Sequence, residues 1–554
     1  MLLWHMHQPD FRDGPGGHFR LPWVYLHAAK DYADMAAHLE RHPGVRAVVN
    51  FVPVLCEQLE DYAAAFDAGE LRDPLLETLV RPDLEGLDAA GRALLLDRCF
   101  RANHAKMIEP FPAFRRLREL LRQAQSLGPG APDYLSGQYF ADLVTWYHLA
   151  WTGETVRRQH AAVVELMSKA QGFTLEDRRR LFAVYREVVS GVLPRWRALA
   201  ARGQVELSCT PHDHPLGPLL LDFAAARESQ PALPLPQCAG YPGGRQRFES
   251  HLTRALESHG RRFGAPARGV WPAEGALSEP VLDLLAAAGV RWTASGEGVL
   301  HASLGAAGRG ADGPRAPYRG HRWRDSGLSV FFRDDRLSDL VGFEYSDWHG
   351  RDAAGHFIAQ AQSIGAAAPS GEATVVSVIL DGENAWEYYP YNGYFFFEDL
   401  YGALESHASI RTTTYAEAVS AGPAPGAALH SLRAGSWVYG NLSTWIGSAE
   451  KNRAWELLCE AKRHYDLVLA SGRLDAAAAR AAERQLAVCE SSDWFWWLGD
   501  YNPGAAVASM EQVFRANLAA LYRLLQLPAP AALDTPLSHG GGEAELGGAM
   551  RRAS

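Results

Sequence analysis

Gly269-Val-Trp271-Pro-Ala-Glu274-Gly275 and Ser329-Val-Phe-Phe332-Arg-Asp334-Asp335 share one layout: a short apolar run that ends on an acid. The apolar residues are β-branched and aromatic, so each run reads as a strand with its carboxylate just past the strand end. Three further runs behave alike. Leu2–Trp4 leads into His5-Met-His7-Gln8-Pro9, Val205–Ser208 into His212-Asp-His214-Pro215, and Val375–Leu380 into Asp381-Gly-Glu383-Asn384. Five strand ends that deliver acids and histidines describe a (β/α) barrel, whose site is built from loops at the C-terminal ends of its strands.

Working outward, residues 1–55 read as strand, loop, helix (Ala28–Arg41) and strand (Ala47–Val52), and residues 56–200 as mainly helical. Thr174 with Asp177 three positions on predicts a capped helix start, with Leu181, Val184 and Val188 along one face. From 265 to 381 strands alternate with helices such as Pro280–Ala288, the rhythm of a mostly parallel sheet. The Gly/Ala/Arg-rich stretch 303–320 reads as a mobile loop, and Ala421–Ala428 as a linker. Long helical stretches follow at Glu450–Ser471, Asp475–Glu490 and Ala505–Leu525. The predicted division is a catalytic α/β barrel with helical insertions over 1–420, a helical C-terminal domain over 421–527, and a disordered Pro/Ala/Gly-rich tail over 528–554.

At 554 residues the chain exceeds a single core of roughly 250–300 residues, so two or more domains are expected. The net charge of −10 without a long basic run argues against a nucleic-acid partner. Six scattered cysteines, never spaced C-x-x-C, read as free thiols rather than a disulfide framework or zinc ribbon. No apolar stretch reaches the roughly 20 residues of a membrane span, and the first strand begins where a leader would stand, so a cytoplasmic protein is expected. Oligomeric state is not legible.

The paired carboxylates Glu274 and Asp334, with 16 tryptophans in the chain, point to glycoside chemistry. Trp271, Trp348, Trp386, Trp437 and Trp445 lie near the motifs, where flat rings could stack on sugar faces. Asp335 and Asp339 beside Arg333 read as structural ion-pair partners. His5 and His7 alternate on a strand and so share a face. Three readings stay open for them and for His212 and His214: hydrogen bonds to sugar hydroxyls, a metal, or plain core histidines. No third metal ligand accompanies them at the usual spacing, so no metal and no cofactor is expected. Asp381, Glu383 and Trp386 follow the most apolar strand and belong at the barrel mouth, whereas Asp493 and Trp494 in Ser492-Asp-Trp-Phe-Trp-Trp497 suit a groove wall or an aromatic core equally.

These motifs together resemble glycoside hydrolase family 57, the group of α-amylases, amylopullulanases, 4-α-glucanotransferases and branching enzymes. Its five short signature regions occur in order: His5-Met-His-Gln-Pro9, Gly203-Gln-Val-Glu206 through His214-Pro215, Trp271-Pro-Ala-Glu274, Phe332-Arg-Asp334 through Phe343, and Leu380-Asp-Gly-Glu-Asn384. Thr444-Trp-Ile-Gly447, Glu450-Lys-Asn452 and Asp493-Trp-Phe-Trp-Trp497 are similar to its helical region. The resemblance implies an incomplete (β/α)7 barrel with a helical domain over the cleft. It implies a retaining mechanism with Glu274 as nucleophile and Asp334 as acid/base, acting on an α-glucan or maltooligosaccharide without a metal. It favours the amylase or amylopullulanase side, with a 4-α-glucanotransferase or branching enzyme as the same-site alternative and a metal-dependent mannosidase or deacetylase relative further off. The first strand is shorter than the family pattern.

Overall fold

The computed structural model describes residues 1–14, 16–306, 315–368, 374–421 and 428–542. Its centre is one eight-stranded sheet of β1 (Leu2–Met6), β2 (Ala47–Phe51), β3 (Val205–Cys209), β4 (Gly269–Val270), β5 (Trp292–Gly296), β6 (His321–Arg322), β7 (Ser329–Arg333) and β8 (Val378–Asp381). The order is β6-β7-β5-β4-β3-β2-β1-β8. Every pairing is parallel except that of β6, which runs antiparallel to β7 at one edge. Seven parallel strands therefore curl into the incomplete barrel.

Where the circle should close, β7 and β8 meet only at a bridge between Arg333 and Ser377. The Asp334 N–H donates to the Ser377 carbonyl at 2.8 Å, and Arg333 Nε to the Ile379 carbonyl at 2.9 Å. A backbone bond and a guanidinium close this seam.

Strand alternation sorts the interior into layers. Leu3, Val48 and Ile379 lie side by side in register and pack with Trp271, Trp292, Ala294, Phe331 and Tyr415 as an apolar plug. Two residues further along each strand, still facing inward, the same register aligns Asp381, His5, Asn50 and Ser208. The plug fills the barrel's lower half, and the polar row forms the floor of whatever lies above it.

The predicted helix after Thr174 runs Leu175–Ala201 with a complete capping box. The predicted 28–41 helix starts earlier, at Trp23, and one π turn, Ala28–Tyr32, interrupts it. That extra residue turns Lys30 and Asp31 into the interior. The linker residues 422–427 and loop residues 307–314 lie outside the described residues. Among the described residues all six cysteines are unpaired.

The helices Ala449–Ala470, Ala476–Cys489 and Gly504–Leu524 are fastened to the barrel by the main apolar core, in which Trp445, Trp455, Phe495 and Phe514 join Leu216, Leu220 and Phe223. The tail expectation needs correcting. Residues 528–542 are ordered, because Leu533 is buried, Arg515 donates to its carbonyl, and Glu511 accepts the Leu537 N–H. Within this segment Ala531–Asp534 forms a short 3-10 helix; residues 543–554 lie outside the described residues.

Candidate active site

Above the polar row opens a cleft of about 820 Å³. His5, His7, His214, Glu274, Arg333, Asp381, Glu383, Trp437 and Asp493 line it, with Trp23, Trp151, Trp496 and Trp497 higher on its walls. Strands from across the barrel, residues 100–106 of the helical insertion, and two stretches of the C-terminal helical region, 493–497 and 503–510, converge here.

Glu274 sits in a tight turn after β4, with φ 59° and ψ 22°. A non-glycine residue in that left-handed region is strained, at a cost of about 1–3 kcal/mol, and such strain gathers at functional sites. Two donors fix its carboxylate: Ser492 Oγ to Oε1 at 3.0 Å and Trp437 Nε1 to Oε2 at 3.4 Å. Burial, reinforced by Asp493 and Asp381, pushes Glu274 up to about 8. Asp381 is itself raised to about 6 by burial, and Glu383 well above the usual range by burial and its acidic neighbours.

The three predicted histidines form a stack. His7 lies 3.8 Å from His214 and His5 5.1 Å from it, ring centre to ring centre. His5 Nδ1 bonds Asn50 Oδ1 at 2.7 Å and its Nε2 meets His214 Nε2 at 3.1 Å. Burial and the neighbouring rings hold His5 well below its ordinary range, and burial and His7 bring His214 to about 4. His7 Nε2 bonds Asp493 Oδ2 at 2.8 Å, and His214 Nδ1 bonds Ser492 Oγ at 2.9 Å. Burial works against the Asp493 charge, but His7 and His214 offset it and keep this carboxyl well below its usual value.

One inference from the sequence pattern is overturned. The third group that His7 and His214 lacked is Asp493, and the ligand atoms of the three lie within 4.8 Å of one another. It was invisible because it arrives from the far end of the chain. His7 Nε2 and Asp493 Oδ2 are hydrogen-bonded at 2.8 Å, closer than two ligands at about 2.0–2.1 Å from one zinc ion stand, while His7 Nδ1 has no partner among the described residues.

A buried ion network holds Ser492 and Asp493 in place. Glu490, with no solvent exposure, accepts from Arg247 Nε and Nη2 at 2.8 Å each and from His251 Nε2 at 2.7 Å. Beyond it Pro215 bridges Ser491, and the Ser492 N–H donates to the His214 carbonyl at 2.9 Å.

Asp334 follows β7 directly, as expected, but is 3% exposed and outside the cleft lining. Its Oδ1 caps the next helix by accepting the Leu337 N–H at 2.7 Å, and its Oδ2 accepts the Tyr318 hydroxyl at 3.0 Å. Asp335 and Asp339 each pair with Arg333 at 2.8 Å.

Of the predicted tryptophans, Trp437 faces the cleft. Trp271, Trp386, Trp445 and Trp494 are at most 1% exposed and form none of its lining, so as stacking surfaces they are corrected. Trp271 buttresses Trp437 edge-on at 5.3 Å; Trp386 packs on Phe397 at 4.4 Å and donates to the Gly382 carbonyl. Trp445 accepts from Trp455 through its carbonyl, and Trp494 lies against Phe514. Trp496 and Trp497 supply the wall from that segment instead. Sequence reasoning missed Asn50 and Ser492. A lone amide inside the apolar run Ala47–Phe51 was a usable signal for the first; nothing local marked the second.

The model of glycosyl hydrolase family 57 matches residues 1–429. No curated protein matches the chain. Among solved structures, a family 57 branching enzyme from Thermococcus kodakaraensis aligns over 94% of this chain and 89% of its own, with TM-score 0.58 at 15% identity. A branching enzyme of the same type from Pyrococcus horikoshii gives the same coverage and TM-score at 16% identity. An α-amylase from Thermotoga maritima aligns over 95% and 92%, with TM-score 0.55 at 14% identity. These likenesses are of fold, and they span the C-terminal helices as well as the barrel. By the family match and the architecture around its cleft, the chain belongs to glycosyl hydrolase family 57.

Proposed function

We propose that the protein cleaves α-glucans with retention of configuration, with Glu274 as nucleophile and Asp334 as acid/base. The observation that carries this reading is Glu274 itself: a strained carboxylate at the base of an aromatic cleft, held from both sides by Ser492 and Trp437. In the first step ionised Glu274 attacks the anomeric carbon while Asp334 protonates the departing glycosidic oxygen. In the second, Asp334 takes a proton from the incoming hydroxyl, which displaces Glu274. His5, His7, His214, Asp381, Glu383 and Asp493 supply donors and acceptors for sugar hydroxyls, and Trp437, Trp496 and Trp497 the flat apolar faces. The amylase or amylopullulanase type is preferred, acting on α-1,4 and α-1,6 linkages in the cytoplasm without a metal.

A second reading of the acid rests on one observation. Asp381 lines the cleft and is raised to about 6, whereas Asp334 is covered and has both oxygens engaged. Asp381 would then protonate the leaving group. Transfer to a sugar hydroxyl rather than water, as in a 4-α-glucanotransferase or branching enzyme, uses the same groups. Thin-layer analysis of products from maltoheptaose and pullulan tests the whole reading. Shorter sugars mean hydrolysis, a ladder of longer ones transfer, and maltotriose from pullulan α-1,6 cleavage; no conversion of either substrate refutes it.

A further inference from the structure

Tyr391 and the next residue, Asn392, both adopt left-handed backbone, with φ 54° and 53°. Two consecutive non-glycine residues in that region are costly, and a surrounding structure must hold them there. Asn392 does the holding. Its side chain accepts from Lys30 Nζ at 2.9 Å and donates to Asp34 Oδ2 at 3.0 Å, and both partners are buried. The outcome is an outward-facing Tyr391 that is 57% exposed.

The ring is not alone. Phe395, 47% exposed, lies edge-on to it at 5.5 Å. The Arg158 guanidinium sits 4.4 Å from the Tyr394 ring, 5.3 Å from Phe395 and 6.0 Å from Tyr391, tethered by Glu154 at 2.9 Å. The patch also adjoins the cleft. Tyr388 and Glu387 line the cleft just before Tyr391, and Trp151 lines it shortly before Arg158. Lys30, which bonds Asn392, lies 5.4 Å from the ring of the cleft-lining Trp151, so the turn that carries Tyr391 and the cleft wall share a neighbour.

We propose that Tyr391, Phe395 and Arg158 form an external binding platform for the part of a long α-glucan that extends beyond the cleft. Aromatic faces pack on the C–H faces of pyranose rings, and a planar guanidinium donates to neighbouring hydroxyls. Glu154 offsets the Arg158 charge, which suits a neutral polymer. A protein partner would find only a small, rigid area. The proposal rests on the α-glucan reading of the cleft, but it is tested separately.

Native gels cast with and without glycogen test it, using the full chain and the double variant Tyr391→Asn/Phe395→Ala. Asparagine tolerates the left-handed backbone, so the turn is kept. The wild type should be retarded by glycogen, with apparent affinity falling at least about fivefold in the double variant, the loss of two ring contacts. Activity on maltoheptaose should stay within about twofold. Arg158→Gln, which leaves the rings in place, should give an intermediate shift. Equal retardation of wild type and both variants would overturn the platform, and so would no retardation of the wild type. Either result leaves the cleft's reading to its own maltoheptaose assay, and retardation without turnover would leave the platform standing while the cleft's reading fell.

Discussion

At the scale of single residues, the roles proposed for the two carboxylates can be told apart by substitution. Glu274→Ala should lower turnover by more than about 10³-fold, and azide should restore it through attack from the opposite face, giving an inverted glycosyl azide. Asp334→Ala should spare the first step on substrates with acidic leaving groups and yield a retained azide. If Asp381→Asn, and not Asp334→Ala, gives that retained product, Asp381 is the acid. The raised Glu274 also has a stability consequence. Its folded value of about 8 exceeds the ordinary 4.5, so folding takes up a proton between those values and stability falls as pH rises from 4.5 through 8. Glu274→Gln removes that penalty: its melting temperature should match the wild type's at pH 4 and exceed it at pH 9. Because a nucleophile must be ionised, the same shift places the acidic limb of the kcat/KM profile high. Asp493→Asn removes a neighbouring negative charge and should move that limb to lower pH; a limb that stays fixed would show that Asp493 does not act on Glu274.

At the scale of elements, the short segment 490–493 carries the site's only described contributions from the C-terminal helices to Glu274 and the histidines. Its anchor is Glu490, whose burial cost is more than offset by Arg247 and His251, so that its carboxyl falls to about 2. The stability it contributes is complete above its ordinary 4.5 and is lost as pH drops toward 2. Removing one partner of such a buried pair leaves an unpaired charge, so Arg247→Met should cost about 3–5 kcal/mol in urea unfolding. The strand ends were legible because an apolar run followed by an acid or histidine is a local pattern: β1, β3, β7 and β8 fall within a few residues of their expected places. Ser492 and Asp493 meeting His7 and His214 was not, since only the packing of distant helices decides it. The tryptophans show the same limit. Nearness to a motif in sequence says nothing about which way a ring points: Trp386 lies in the core away from the cleft, whereas Trp496 and Trp497 line it.

At the scale of the whole molecule, the barrel and the C-terminal helices share one apolar core and one cleft. Removing residues 421–554 should expose Leu216, Leu220 and Phe223 and take away Ser492 and Asp493 together; a soluble, fully active 1–420 chain would refute that coupling. Dialysis against EDTA should leave activity unchanged, and loss of activity restored by added Zn²⁺ would show otherwise. One feature bears on how the enzyme wears out. The barrel's seam lies at Arg333 and Ser377, and the residue after Arg333 is Asp334, so the proposed acid/base hangs on a joint of one backbone bond and one guanidinium. Heat that parts this joint should displace Asp334 while the plug and the helices remain folded. Inactivation should therefore precede melting by several degrees, with the amide of Asp334, which donates across the seam to Ser377, exchanging with deuterium ahead of those in β1 and β2, so that shelf life is governed by one joint rather than by the fold.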